Sequence, residues 1–349
     1  MVALCSLVAA CLFGIAAGSA PGWAARFLPH STLVLDGLPL VLAPPSDGPR
    51  AGRLHPGRQW RRRPRGIQAV ALPPLPGLPA GLSPLLPLGG KAWFPADRVV
   101  AYYGNPLAPS MGVLGQSPPA TMLAHLRAQA AAYAALDPGR PVVPALELVA
   151  DVAQAAPGPS GLYRMRMPYA LITAELALAR QAHALLILDL QVGRSSVAAE
   201  LPYFARFLAQ PDVELALDPE FAMPPGEVPG KWIGTLPAAQ INWAVHYLAA
   251  LVVRYHLPDK ILIVHQFTPG MVPHWRGIRL RSGVQFVFDT DGYGGQARKE
   301  HNYRAFITDQ PVPPVRYGGI KLFYRYDTPL MTPRTVLALR PAPSLIIYQ

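Results

Sequence analysis

Two short carboxylate-bearing segments stand out for chemistry: Asp218-Pro219-Glu220 and Asp289-Thr290-Asp291-Gly292-Tyr293-Gly294. Each closes an apolar run, VELALDPE (Val213–Glu220) and VQFVFDTD (Val284–Asp291). Successive side chains of a strand point to opposite faces. Ala216, Asp218 and Glu220 therefore share one face, opposite Leu215 and Leu217. Asp289 and Asp291 share one face, opposite Phe286 and Phe288. Two carboxyl groups facing each other across a cleft suit glycoside hydrolysis, where one acts as nucleophile or base and the other as general acid. The expected assignment is Asp218 or Glu220 as nucleophile or base and Asp291 as acid. Asp289 would tune a pKa or bind a sugar hydroxyl.

The same logic turns other polar residues toward that cleft. In LLILDLQ (Leu185–Gln191), Asp189 and Gln191 oppose Leu188 and Leu190. Glu147 comes from VVPALELV (Val142–Val149), His265 from ILIVHQ (Ile261–Gln266), and Lys321 from GIKLFYRYD (Gly319–Asp327). Tyr103 and Asn105, from VVAYYGN (Val99–Asn105), and Tyr293 complete the expected substrate-binding set, with Glu147, Asp189, Gln191, His265 and Lys321. Tyr102, Trp232, Trp275 and Tyr324 are further stacking candidates. Buried carboxylates are costly unless paired or hydrogen-bonded, so several converging on one rim imply a function.

These residues need a scaffold that brings strand ends together. Eight apolar runs, closing with LIIYQ (Leu345–Gln349), occupy residues 98–349. Helical stretches separate most of them: Thr121–Leu136, Tyr169–His183, Ser195–Gln210, Pro237–His256, Arg298–Thr308 and Thr332–Leu339. Ser195 or Ser196 is a plausible N-cap, and Thr332-Pro333 a good helix start. Strands alternating with helices imply βαβ units and a parallel sheet. The expected fold is α/β, a (β/α)8 TIM-type barrel, whose active sites lie at the C-terminal strand ends. The rival is an open doubly wound sheet. It draws support from the polar connection Pro273–Ser282, where no helix is expected, and from the want of a helical stretch after the last run.

The remainder of the chain reads differently. Its 349 residues carry a formal charge of +11 and 42 prolines. Residues 1–97 hold nine Lys/Arg against three Asp/Glu, with a knot at Arg61, Arg62, Arg63 and Arg65. No nucleic-acid module accompanies this basicity, so no nucleic-acid partner is expected. No charged side chain occurs before Arg26. Residues 1–24 read as a signal peptide or membrane anchor, with Val8-Ala9-Ala10-Cys11 as a lipobox candidate. Residues 25–97 read as a disordered Pro/Gly/Arg-rich tether, and residues 98–349 as the barrel. Cys5 and Cys11 are the only cysteines, so a cleaved chain has no disulfide, thiolate nucleophile or Cys-ligated zinc. The protein is expected to be exported or tethered at the cell envelope, and monomeric.

The sequence lacks His-Glu-x-x-His, a P-loop, a GxGxxG after the first run and a nucleophile elbow. No metal and no organic cofactor is expected. Two alternatives to a glycosidase acting on a carbohydrate or cell-envelope polymer stay open. One is a non-catalytic carbohydrate- or cell-wall-binding barrel. The other is a metal-assisted hydrolase using Glu147, Asp189, Asp218, Asp289 and His265.

Tyr102–Pro106 (YYGNP), Leu188–Ser195 (LDLQVGRS), Leu217–Met223 (LDPEFAM) and Phe288–Gly294 (FDTDGYG) resemble a group of uncharacterised exported bacterial proteins. That group is similar to glycosidase-type barrels in architecture. The resemblance covers roughly residues 98–349, implies a barrel and export, and assigns no reaction.

Overall fold

The structure, a computed structural model, describes residues 83–88, 90–309 and 317–349. The expected signal segment or anchor, most of the expected tether, the arginine knot and both cysteines lie outside the described residues.

Nine strands form one sheet: β1 (Arg98–Gly104), β2 (Val142–Ala153), β3 (Arg164–Arg166), β4 (Leu185–Leu190), β5 (Val213–Leu217), β6 (Lys260–Gln266), β7 (Val284–Thr290), β8 (Tyr317–Leu322) and β9 (Leu345–Tyr348). Their order is β1-β9-β8-β7-β6-β5-β4-β2, and β1 pairs again with β2. The ring of eight parallel strands is therefore closed, which excludes the open doubly wound sheet. The short β3 adds antiparallel to the far end of β2. Closure buries both faces of the barrel strands, which is why they read as nearly continuous apolar runs.

The helices α1 (Pro119–Leu136), α2 (Tyr169–Gln181), α3 (Val197–Leu208), α4 (Ala238–Tyr255), α5 (Gln296–Tyr303) and α6 (Pro333–Leu337) surround the ring. Ser196 caps α3, its side chain accepting from Ala199 N–H. Thr332 does the same for α6 with Thr335 N–H. As the sequence suggests, β6 reaches β7 without an α-helix, through a single 3-10 turn at Trp275–Gly277. The helix expected over 298–308 is α5 followed by a π-turn at Arg304–Thr308. Helices α1 and α6 touch across the seam beside β9 and close the outer layer there.

Two runs end sooner than their residues suggest, and the first is β5, which stops at Leu217 before the 3-10 turn Pro219–Phe221. β8 stops at Leu322, and Asp327 is not a strand residue. Its carboxylate instead accepts from Phe323 N–H at 2.9 Å and Gly294 N–H at 2.8 Å, and pairs with Lys299 at 3.0 Å. A five-residue turn fastened by a buried ion pair replaces the expected strand end.

The packed unit also begins before Arg98. Trp93 and Phe94 are each 2 % exposed, and both backbone N–H groups donate to Gln285 Oε1, at 3.0 and 3.1 Å. Gln285 lies near the start of β7 with the parity of Val287 and Asp289, so this segment seals the N-terminal end of the barrel. The opposite end is left for the polar ring.

Candidate active site at the barrel mouth

Seven barrel strands each bring one polar side chain to the C-terminal end: Tyr103, Glu147, Asp189, Asp218, His265, Asp289 and Lys321. Residues opposite each other on a parallel ladder face the same side. Tyr103 lies opposite Glu147, and His265 opposite Asp289, which lies opposite Gly319. Gly319 leaves the space its neighbour needs, since a Cβ there would sit 2.7 Å from Asp289 Oδ1. Asp291 follows Asp289 by two residues, just past the end of β7, whereas Glu220 is carried by the 3-10 turn Pro219–Phe221 and not, as expected, by the strand face of Asp218.

His265 is the hub. Its Nδ1 lies 3.0 Å from Asp289 Oδ2, and its Nε2 lies 3.1 Å from Glu147 Oε1, on a strand three places round the ring. Asp291 Oδ2 is 3.8 Å from the same Nδ1. Burial alone would lower the imidazole pKa, but the bonds to Asp289 and Glu147 outweigh it and raise it well above the ordinary value. His265 is thus held as an imidazolium. Lys321 Nζ lies 3.5 Å from the Tyr103 ring centroid. Burial opposes its charge, but Asp291, Asp218, Glu147 and Asp189 together raise its pKa. Gln191 Nε2 donates to Tyr103 Oη at 3.2 Å and to Asp218 Oδ2 at 3.3 Å, while its Oε1 accepts from Ala153 N–H.

The carboxylates fall into two groups. Oxygens of Asp218, Glu220 and Asp291 lie within 4.8 Å of one another, as do ligand atoms of Glu147, Asp189 and His265. Burial first, then mutual repulsion, raises Asp218 and Glu220 well above the ordinary carboxylate range. Burial also raises Asp291, while His265 and Lys321 act in the opposite direction. Asp189 is pushed up to about 6, chiefly by burial. The Tyr103 hydroxyl favours its charged form without making a hydrogen bond of ordinary geometry. Six carboxyl groups thus share two cationic partners. Asp218 Oδ1, Asp289 Oδ1, Asp291 Oδ1 and Glu147 Oε2 are buried without a hydrogen-bond partner. Such orphaned oxygens are a cost that folding alone does not repay. Glu220 is the most open of the set, partly exposed where the others are buried.

Not every candidate reaches this ring. Asn105 is fully buried, its amide donating to Val149 O and its Oδ1 accepting from Leu107 N–H. It clamps the turn after β1 and has no side-chain group left for a substrate. Tyr293 is partly buried beside Phe323 and Tyr326. Tyr102 and Tyr324 meet on the outer side of the barrel wall. Trp232 is 49 % exposed on the loop after β5, and Trp275 packs partly buried against the core. A further buried network escaped the sequence reading. Glu200 accepts from Arg164 at 3.1 Å, Arg166 at 2.6 Å and the Ser195 hydroxyl, and burial together with Glu200 raises Asp151. It fastens β3 to α3. Asp151 lies beyond the run expected to end at Val149, and a bulge between Val149 and Asp151 breaks the register with β4.

The fold and site define a class: a closed (β/α)8 barrel with clustered, buried carboxylates at its C-terminal mouth. Comparison with known protein families, with curated proteins and with solved structures gives no match for this chain.

Proposed function

We propose that the protein is a glycoside hydrolase of the retaining type, with Glu220 as proton donor and Asp291 as nucleophile. The supporting observation is the approach of their carboxylate oxygens to within 4.8 Å. Retaining enzymes hold the two carboxyl groups about 5–5.5 Å apart, and inverting ones about 6.5–9.5 Å apart, to admit a water. The electrostatics exchange the two roles expected from the sequence. Burial and the repulsion of Asp218 and Asp291 favour the protonated form of Glu220 over the opposing pull of Lys321 and His265, as an acid needs. Asp291 lies beside the His265 imidazolium and Lys321, which favour its anion.

The proposed reaction then balances simply. Glu220 gives its proton to the glycosidic oxygen, and the C–O bond to the leaving sugar breaks. Asp291 Oδ bonds to the anomeric carbon. Glu220, now a carboxylate, takes a proton from water, whose oxygen displaces Asp291 and returns it to the anion. Asp218 keeps Glu220 protonated through repulsion and is held by Gln191. His265 and Lys321 stabilise Asp291 whenever it is charged. Asp218 and Asp291 are only 3 % and 6 % exposed, so entry of a sugar requires a loop to open. The loop 222–235 folds back on Glu220 through Gly234 N–H to Glu220 O, 2.7 Å, and is our candidate. The substrate would be a carbohydrate or envelope polymer met outside the cytoplasm. The test is turnover of a panel of aryl glycosides and envelope polysaccharides by the wild type, Glu220→Gln and Asp291→Asn. Hydrolysis lost in both variants supports the proposal, and hydrolysis retained in either removes that residue.

The orphaned Asp218 Oδ1 and Asp291 Oδ1 favour one second reading, a metal-assisted hydrolase. Three carboxylates present hard oxygen ligands of the kind Ca²⁺ or Mg²⁺ takes. Calorimetric titration with each ion decides between them: saturable binding lost in Asp218→Asn supports the metal, and no binding removes it.

A further inference from the structure

Outside the ring, at the same end of the barrel, lies a half-open cleft of ≈ 650 Å³ between α1, the turn after β1 and the loop after β8. Cavities that hold small organic ligands span about 300–1,000 Å³, so its size suits a few sugar units. One wall carries Tyr324 and Tyr326, 43 % and 41 % exposed. These rings are not loose surface residues. Tyr324 stacks on Tyr348 with centroids 5.2 Å apart and planes at 23°, and its hydroxyl lies 3.2 Å from that of Tyr102. Gln129 ties the base of the wall, its Nε2 donating to Tyr348 Oη at 3.0 Å. Large aromatic faces are thus held open to solvent on a hydrogen-bonded base.

The polar lining has a definite character. Gln116, Gln129, His125 and Arg325 face the cleft, and among the described residues no Asp or Glu side chain lines it. Amide and guanidinium donors beside an aromatic face match a pyranose ring, which offers a C–H face for stacking and hydroxyls at its edge.

The cleft also connects to the mouth. Tyr326 lies 5.8 Å from the ring of Tyr293, which follows Asp291 by two residues. Asp327 binds Gly294 N–H and Phe323 N–H with its two oxygens, so the loops after β7 and β8 are tied together. The Tyr293 and Tyr326 rings therefore lie on the tied loops between the mouth and the cleft.

We infer that this cleft is a distal subsite for a neutral oligosaccharide whose reacting end occupies the mouth, so that the substrate is a chain glycan and not a disaccharide. The inference rests on the glycosidase proposal for the reaction, but binding at the cleft is measured independently of hydrolysis.

The experiment is isothermal titration of the full chain with cellohexaose, maltohexaose and chitohexaose and with their disaccharides. Glu220→Gln, Tyr326→Ala and Tyr326→Phe are titrated alongside. At least one hexasaccharide should bind tenfold or more tightly than its disaccharide. Tyr326→Ala should remove most of that advantage, Tyr326→Phe should keep it, and Glu220→Gln should leave it intact. If Tyr326→Ala melts early, Arg325→Ala takes its place with the same expected loss of the length advantage. Equal affinity for both lengths, no binding of any hexasaccharide, or an advantage untouched by Tyr326→Ala or its replacement would overturn the inference. Chain-length-dependent binding without hydrolysis would keep the subsite and remove the glycosidase proposal.

Discussion

Glu220 and Asp291 reach the same few ångströms of space from strands separated by one other, β5 and β7, with oxygens no more than 4.8 Å apart. Between them β6 supplies His265, whose Nδ1 lies 3.8 Å from Asp291 and whose charge is fixed by Asp289 and Glu147. The pair is thereby made unequal: at Glu220 the repulsion of Asp218 and Asp291 exceeds the pull of Lys321 and His265, and at Asp291 that pull exceeds the repulsion of Asp289. Unequal environments are what separate an acid from a nucleophile.

Glu220→Gln tests the acid. A neutral amide closely replaces a protonated carboxyl, so folding should be nearly unaffected, with the melting temperature at pH 7 unchanged or slightly higher. Turnover of unactivated glycosides should fall about 10²–10⁴-fold, the usual contribution of general acid–base catalysis. Steady-state kinetics with melting curves on the same samples measure both, and a parallel loss of stability would assign Glu220 a structural role.

Lys321→Met tests the compensation of charge. It leaves buried carboxylates without a cation, and removing one partner of a buried pair costs about 3–5 kcal/mol. The loss should be largest near pH 8 and smaller near pH 5, where the surrounding carboxyls take up protons. Denaturant unfolding at the two pH values measures it, and an equal loss at both would contradict the account.

Asp189 makes stability depend on pH. Its folded-state pKa, about 6, lies above the ordinary value of 3.8. A group raised in this way contributes stability that is fully present below the ordinary value and is lost as pH rises through about 6. At about 1.4 kcal/mol per tenfold change in proton affinity, the full swing is roughly 3 kcal/mol, of which about half falls between pH 5 and pH 8. His265, Asp218, Glu220 and Asp291 are also raised, and act with the same sign. The melting temperature should therefore fall from pH 5 to pH 8, and Asp189→Asn should flatten the slope. A slope of opposite sign would refute the assignment.

Gly319→Ala tests the space beneath Asp289. The added Cβ would meet Asp289 Oδ1 at 2.7 Å, so the carboxylate must move and His265 loses its fixed partner. Overpacking of this kind costs about 1–3 kcal/mol. Histidine NMR should show a changed His265 titration, whereas an unchanged one would show that Asp289 does not control it.

The barrel was legible because each strand is buried on both faces and ends in a polar residue at a constant parity. Asp189, Asp218, His265, Asp289 and Lys321 could be aimed at one mouth from alternation alone. Closure was expected from the count of eight runs and not from any local signal, because it depends on the pairing of β1 with β2. Asp327 misled for a similar reason: its apolar surroundings read as a strand, while its ion pair with Lys299 ends one. The relative proton affinities of Glu220 and Asp291 were also beyond the sequence, since they depend on neighbours from other strands. Asp218 repels Glu220 most, whereas the His265 ring lies 3.8 Å from Asp291.

The most direct test of the account is covalent trapping. The full chain would be incubated with a panel of 2-deoxy-2-fluoro-glycosyl fluorides, then measured by intact mass and peptide mapping. The account predicts a single fluoroglycosyl adduct on Asp291, absent from Asp291→Asn. An adduct on Asp218, Glu220 or Asp289, or turnover of glycosides with no adduct on any carboxylate, would contradict it.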